Sequence, residues 1–141
     1  MASRLDDDEM RRWIAWKRAT ENVSASVASA IADATGLSSA DFSVLTRVIE
    51  EGQGSIRQQR LSDELGWERS RLSRHLARMH DRGLVERGGD SSERRITATA
   101  HGRELTAVAR AAHASAVRRA LLDMTAHGAP FWPTIEKLGG A

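Results

Sequence analysis

Arginine is the residue type in this chain whose spacing points to chemistry. Ser70, Arg71, Ser73, Arg74 and Arg78 fall in one stretch free of glycine and proline. A helix advances about 100° per residue, which brings Leu72, Leu76 and Met79 onto one face. Ser70 and Arg74 fall near the opposite pole, with Arg71 and Arg78 flanking them on one side. His75 lies nearer the inner boundary. A guanidinium is planar and permanently charged, and its fork matches phosphate oxygens and the guanine edge. A helix that reads a nucleic acid needs this division: one face packs, the other presents donors. The plain alternative is a solvated arginine-rich face.

A second basic cluster surrounds a turn. Gly88-Gly89-Asp90-Ser91-Ser92 is a tip, followed by Glu93, Arg94 and Arg95. An arginine on such a tip can enter the minor groove, where negative potential is concentrated. Arg94 and Arg95 are equal candidates. Asp90 or Glu93 would hold the arginine through a charge-assisted hydrogen bond. An ordinary polar hairpin is the competing reading.

Composition narrows the function classes. The chain has 141 residues and a net charge of only +2, but its only lysines are Lys17 and Lys137. The excess positive charge gathers in the middle third, which favours a polyanionic partner. There is no cysteine, which excludes a disulfide scaffold, a thiolate zinc site and a cysteine nucleophile. The five histidines include no pair at i, i+4, so no helical metal site is expected. No serine stands three or four residues from a histidine, and no phosphate-cradling glycine loop occurs. The expectation is a non-enzyme with no cofactor and no metal. An acidic N-terminus and the lack of a long apolar run suggest a cytoplasmic protein without membrane contact.

The elements that must position these residues are mostly helical, because proline occurs only at Pro130 and Pro133. Trp13, Trp16, Val23, Val27, Ala30, Ile31 and Ala34 trace one stripe on a helix from about 8 to 34. Ser38 with Asp41 reads as a capping box that opens a second helix. Its inner side is Phe42, Leu45, Val48 and Ile49. Ser55–Arg57 is a short strand, followed by a helix at about 58–65 and, after Gly66, one at about 68–82. Val85 begins a strand, Arg95–Ala98 another, and a long helix spans about 100–124. Leu105, Val108, Ala112, Ala116, Val117, Ala120, Leu121 and Met124 supply its apolar face. The fold class is mainly α: a winged helix-turn-helix with a small β-hairpin wing.

Four motifs in this order resemble a known family. Leu61-Ser62-Asp63-Glu64-Leu65-Gly66, Arg69-Ser70-Arg71-Leu72-Ser73-Arg74, Asp81-Arg82-Gly83-Leu84-Val85-Glu86-Arg87 and Thr99-Ala100-His101-Gly102-Arg103-Glu104-Leu105 resemble the MarR family of bacterial transcriptional regulators. The resemblance implies one domain over residues 1–141. Residues 38–99 would be the winged part, and residues 8–34 and 100–138 the dimerisation helices. It implies a homodimer on a pseudo-palindromic double-stranded DNA operator, acting as a repressor relieved by a small aromatic or anionic effector. Ser70, Arg71, Ser73, Arg74 and Arg78 match the family's recognition helix, and His75 is included with them. On the wing, Glu93-Arg94-Arg95 falls on the family's Asp-x-Arg, or a shifted gap puts Asp90 on its Asp.

Trp13 and Trp16 are read either as indoles stacking on the effector or as core and dimer-interface residues. His113 either faces that ligand or lies at the helix surface. Glu68 would repel phosphate unless an arginine such as Arg71 pairs with it. A runner-up function is a winged-helix protein-interaction module that docks its arginine face on an acidic partner.

Overall fold

Helix stops in this chain are set by glycines that can take positive φ. Gly36, Gly66 and Gly83 have φ of 75°, 67° and 73°, a region open to glycine at little steric cost. The computed structural model describes residues 4–90, 93–125 and 131–138. In order these form α1 (Asp7–Thr35), α2 (Ser39–Glu50), β1 (Ser55–Arg57), α3 (Gln58–Leu65), α4 (Arg69–Asp81), β2 (Val85–Gly88), β3 (Arg95–Ala98) and α5 (Ala100–Val117). A π-helical stretch (Arg118–Leu122), α6 (Asp123–Thr125) and α7 (Phe131–Leu138) follow. The chain divides into two compact units, Ile31–Ala111 and Met1–Ala30 with Ala112–Ala141.

The central unit is built on a three-stranded antiparallel sheet in the order β1-β3-β2. Ile56 pairs with Ile96 and Val85 with Ala98. All four are buried, as are Leu45 and Val48 of α2 and Leu72, Leu76 and Met79 of α4. A fully buried side chain of this size contributes about 1.5–3 kcal/mol. The wing is thus more than a hairpin, because β1 adds a third strand. Val44 is also fully buried, whereas Phe42 and Ile49 are only half-buried.

The junction of wing and α5 is tight. Leu84 N donates to Met79 O at 3.0 Å and Gly83 N to His80 O at 2.9 Å, the paired bonds that close a helix at a left-handed glycine. Thr99 Oγ1 donates to Gly83 O at 2.6 Å and accepts from Gly102 N at 2.9 Å, so Thr99 also caps α5. A Cβ on Gly102 would collide with the Leu84 carbonyl oxygen. The buried line of α5 in this unit is Gly102, Thr106 and Ala109. Val108, expected inside, is 50% exposed, because close packing of α5 selects its small residues.

In the other unit, Asp6 N donates to Glu9 Oε2 at 2.9 Å and Glu9 N to Asp6 Oδ1 at 2.8 Å. This reciprocal cap, with Asp7, Asp8 and Glu9 in the first turn, suits the positive end of α1. Trp13 and Trp16 are 51% and 40% exposed, and Met124 is 80% exposed. The π-helical stretch widens the turn by about one residue, so the regular spacing that placed Met124 inside slips out of phase.

One polar cluster lies within the central core. Asp41 is 1% exposed. Its Oδ2 accepts from Ser38 N at 2.9 Å and from Arg82 at 2.8 Å. His75 Nε2 lies 2.9 Å from Asp41 Oδ1, and neither atom has another hydrogen-bond partner among the described residues. Burial alone would raise the Asp41 pKa, but the Ser38 amide, Arg82 and His75 outweigh it and hold the carboxyl below its usual value. Burial, helped by Arg78 and Arg82, pushes His75 down despite Asp41.

Two outcomes follow for stability. Asp41→Ala should cost about 1.5–3 kcal/mol, because it strips partners from buried and half-buried donors. A denaturant midpoint equal to that of the parent would refute this. Unfolded chains bind the His75 proton more readily than the folded chain does. Its contribution is therefore complete above the ordinary value of 6.5 and declines as the pH falls below it. Asp41 adds a second loss only on acidification below its ordinary 3.8. Urea melts from about pH 7 to about pH 5 should show a smaller loss in His75→Gln than in the parent.

Candidate nucleic-acid interface

The turn between α3 and α4 is held by its own side chains. Gly66 ends α3, its N–H donating to Ser62 O. Ser62, itself buried, donates its hydroxyl to Trp67 O at 2.7 Å. α4 then runs with Leu72, Leu76 and Met79 fully buried. That leaves Ser70, Arg71, Arg74 and Arg78 exposed on the same helix.

Arg71 does not pair with Glu68. Its guanidinium carbon sits 4.1 Å from the centroid of the Trp67 ring, a cation–π contact that restricts an otherwise mobile side chain. The other edge of this arrangement is His75, whose ring meets Trp67 at 5.6 Å between centroids and 89° between planes. His75 therefore stands apart from the outward set. Its side chain is only 12% exposed, because it faces Asp41 and the tryptophan. It shapes the face from beneath, and an Arg78 guanidinium nitrogen lies 3.3 Å from its Nδ1. Ser73 is half-buried, and its hydroxyl receives Arg87 from β2 at 3.3 Å. It ties the wing to α4.

The two wing arginines have different surroundings. Arg95 reaches back across the sheet, donating to Ser55 Oγ at 3.2 Å and Ser55 O at 3.1 Å. Arg94 faces a cleft beside the starts of α3 and α4, lined also by Arg57 and Arg69. Asp90 Oδ1 accepts from Glu93 N at 3.1 Å. Ser91 and Ser92 lie outside the described residues.

Sequence spacing did not reveal that Arg57 and Arg69 line a cleft with Arg94, since these residues come from distant positions in the chain. A weak signal existed: both immediately precede or begin a helix that lacks an acidic first turn.

Of the ligand candidates, Trp16 lines a cavity of about 300 Å³ with Val23, Leu121, Phe131, Trp132 and Ile135. Trp13 and His113 are not in that lining. His113 is half-buried on α5. Among the described residues no group of three or more His, Asp or Glu is placed to hold a metal. His127 falls outside them. No described helix is long and apolar enough to cross a membrane.

Residues 37–89 match a family model described as a domain of unknown function, DUF7343. No curated protein sequence matches the chain. Solved structures do. AbsC, a MarR family transcriptional regulator from Streptomyces coelicolor, is 25% identical, with a TM-score of 0.75 over 99% of this chain and 100% of that one. CouR from Rhodococcus jostii RHA1, solved bound to p-coumaroyl-CoA, is 26% identical, with a TM-score of 0.68 over 97% and 95%. Sco3205, a MarR family regulator from Streptomyces coelicolor solved in complex with DNA, shares the fold at 22% identity, with a TM-score of 0.77 over 97% and 92%. Over nearly its full length the chain is similar in fold to MarR family transcriptional regulators.

Proposed function

We propose that the chain is a dimeric, sequence-specific DNA-binding transcriptional regulator, a binding protein and not an enzyme. The observation that carries this reading is the division of α4. Leu72, Leu76 and Met79 are fully buried, while Ser70, Arg71, Arg74 and Arg78 lie on the open side of the second helix of a helix-turn-helix. Arg71 and Arg74 read base edges in the major groove, Arg78 contributes to phosphate contact, and Trp67 holds Arg71 in place. The similarity to a fold solved on DNA supports the same reading.

The dimer reading rests on the outer unit. Met10, Trp13, Ile14 and Trp16 follow helical spacing on α1 and are all exposed, an apolar stripe that a monomer would leave in water. In the proposed dimer, residues 8–34 and 100–138 supply the interface and residues 38–99 the DNA-binding part. The repressor's effector is a small molecule with an apolar or aromatic part. The aromatic cavity around Trp16 and Trp132 suits such a group, and CouR was solved bound to p-coumaroyl-CoA.

Selection of random duplexes by the purified protein should enrich an inverted repeat with half-sites about 10 bp apart. Arg74→Ala should weaken binding to that site by about 1–3 kcal/mol and relax its sequence preference. Absence of enrichment, from folded protein that still retains DNA at low salt, would move the function to an interaction module. Titration with aromatic acids and their thioesters should quench tryptophan fluorescence and change operator affinity together. A full panel that changes neither would remove the effector from this reading.

A further inference from the structure

The cleft beside the wing is distinct from the arginine face of α4. It has a volume of about 460 Å³ and is lined by Arg57, Arg69 and Arg94 together with Gln58, Gln59, Ser62 and Leu72. The three arginines come from three elements: the end of β1, the first residue of α4 and the wing. No carboxylate lines the cleft among the described residues. None of the three arginines forms an ion pair among the described residues. Elsewhere in the same unit, Arg60, Arg82 and Arg110 each face a carboxylate.

Two further features point the same way. Gln58 N donates to Arg94 O at 2.8 Å, so the wing is fastened to the start of α3. Neither α3 nor α4 has a capping side-chain hydrogen bond or an acid in its first turn, unlike α2, whose Ser38–Asp41 box fills both roles; Glu68 stands at the N-cap of α4 but is not in the lining of the cleft. An anion entering a cleft lined by cations is attracted to each of them. The Arg94 charge is also felt by Arg87, whose pKa is lowered first by burial and then by Arg94.

We propose that this cleft is a phosphate-binding site that takes a backbone phosphodiester of duplex DNA. The proposal rests on the DNA-binding reading above and adds Arg57 and Arg69 to it. It also assigns Arg94 to a phosphate in place of the minor groove. Two non-bridging oxygens can each meet a guanidinium fork. Such a contact carries no sequence information, but it fixes how α4 enters the groove.

The test is a salt series with duplex DNA of mixed sequence and with the selected operator, read by fluorescence anisotropy. Arg57 and Arg69 are both exposed, which makes their replacement compatible with folding. Arg57→Gln with Arg69→Gln should bind every duplex several-fold more weakly. The slope of log K against log salt should shrink by about 1 for each phosphate that is no longer neutralised, with operator preference retained. The Lys pair at the same positions should recover most of the slope. An unchanged slope and affinity in the Gln pair, while Arg74→Ala still weakens binding, would overturn the cleft and leave the DNA reading intact. Wild-type protein that binds no duplex at any salt would defeat the DNA reading itself. A parallel titration with inorganic phosphate at constant ionic strength separates the sources. Saturation by phosphate that the Gln pair abolishes, with DNA affinity untouched, would reassign the cleft to a free anion and overturn the proposal.

Discussion

The carboxylate of Asp41 is the constraint on which the arginine face depends. Hydrophobic burial of Leu72, Leu76 and Met79 pulls α4 onto the core and turns its arginine side outward, but that force is non-directional in detail and leaves the register loose. Asp41 supplies direction. It stands at the start of α2 and meets α4 near its middle, at His75, and just past its end, at Arg82. Two points of attachment to one buried group restrict both sliding and rotation. The orientation of Arg71, Arg74 and Arg78 is thereby tied to a residue on a different helix.

Around this anchor the arginines divide by occupation. Arg82 faces Asp41, Arg87 holds Ser73, Arg95 holds Ser55 and Arg110 faces Glu50 at 2.7 Å. These are structural ties between elements. Exposed pairs such as Arg110–Glu50 are worth little in stability, yet they remove those cations from the pool open to a partner. Among the described residues, the face of α4 and the cleft lined by Arg57, Arg69 and Arg94 keep arginines without an ion pair. The small net charge of the chain conceals this local excess.

Backbone approach explains another part of the sequence. Thr99 and Gly102 work as a pair. The threonine hydroxyl bridges the end of the helix-to-wing turn to the first turn of α5, and the glycine lets α5 pass against the Leu84 carbonyl. The motif that begins at Thr99 is therefore a joint, with its residue types set by hydrogen bonding and by space.

Several features were legible in the residues alone, because they depend on local bonding or on helical period. The Ser38–Asp41 box, the stops at Gly36, Gly66 and Gly83, and the split of α4 into an apolar and an arginine side all belong here. What the period could not decide was contact between distant segments. It set His75 nearer the inner boundary without excluding it from the DNA-facing residues, and only Asp41 and Trp67 draw that ring inward. It left Arg94 and Arg95 equivalent, although Ser55 occupies one and the cleft receives the other. It chose large residues such as Val108 for the inner side of α5, where close packing takes Gly102, Thr106 and Ala109. Local hydrogen bonds and periodicity are properties of neighbours in the chain, so the sequence determines them directly. Ion pairing, ring contacts and backbone approach join residues tens of positions apart, and only the folded chain decides which of them meet.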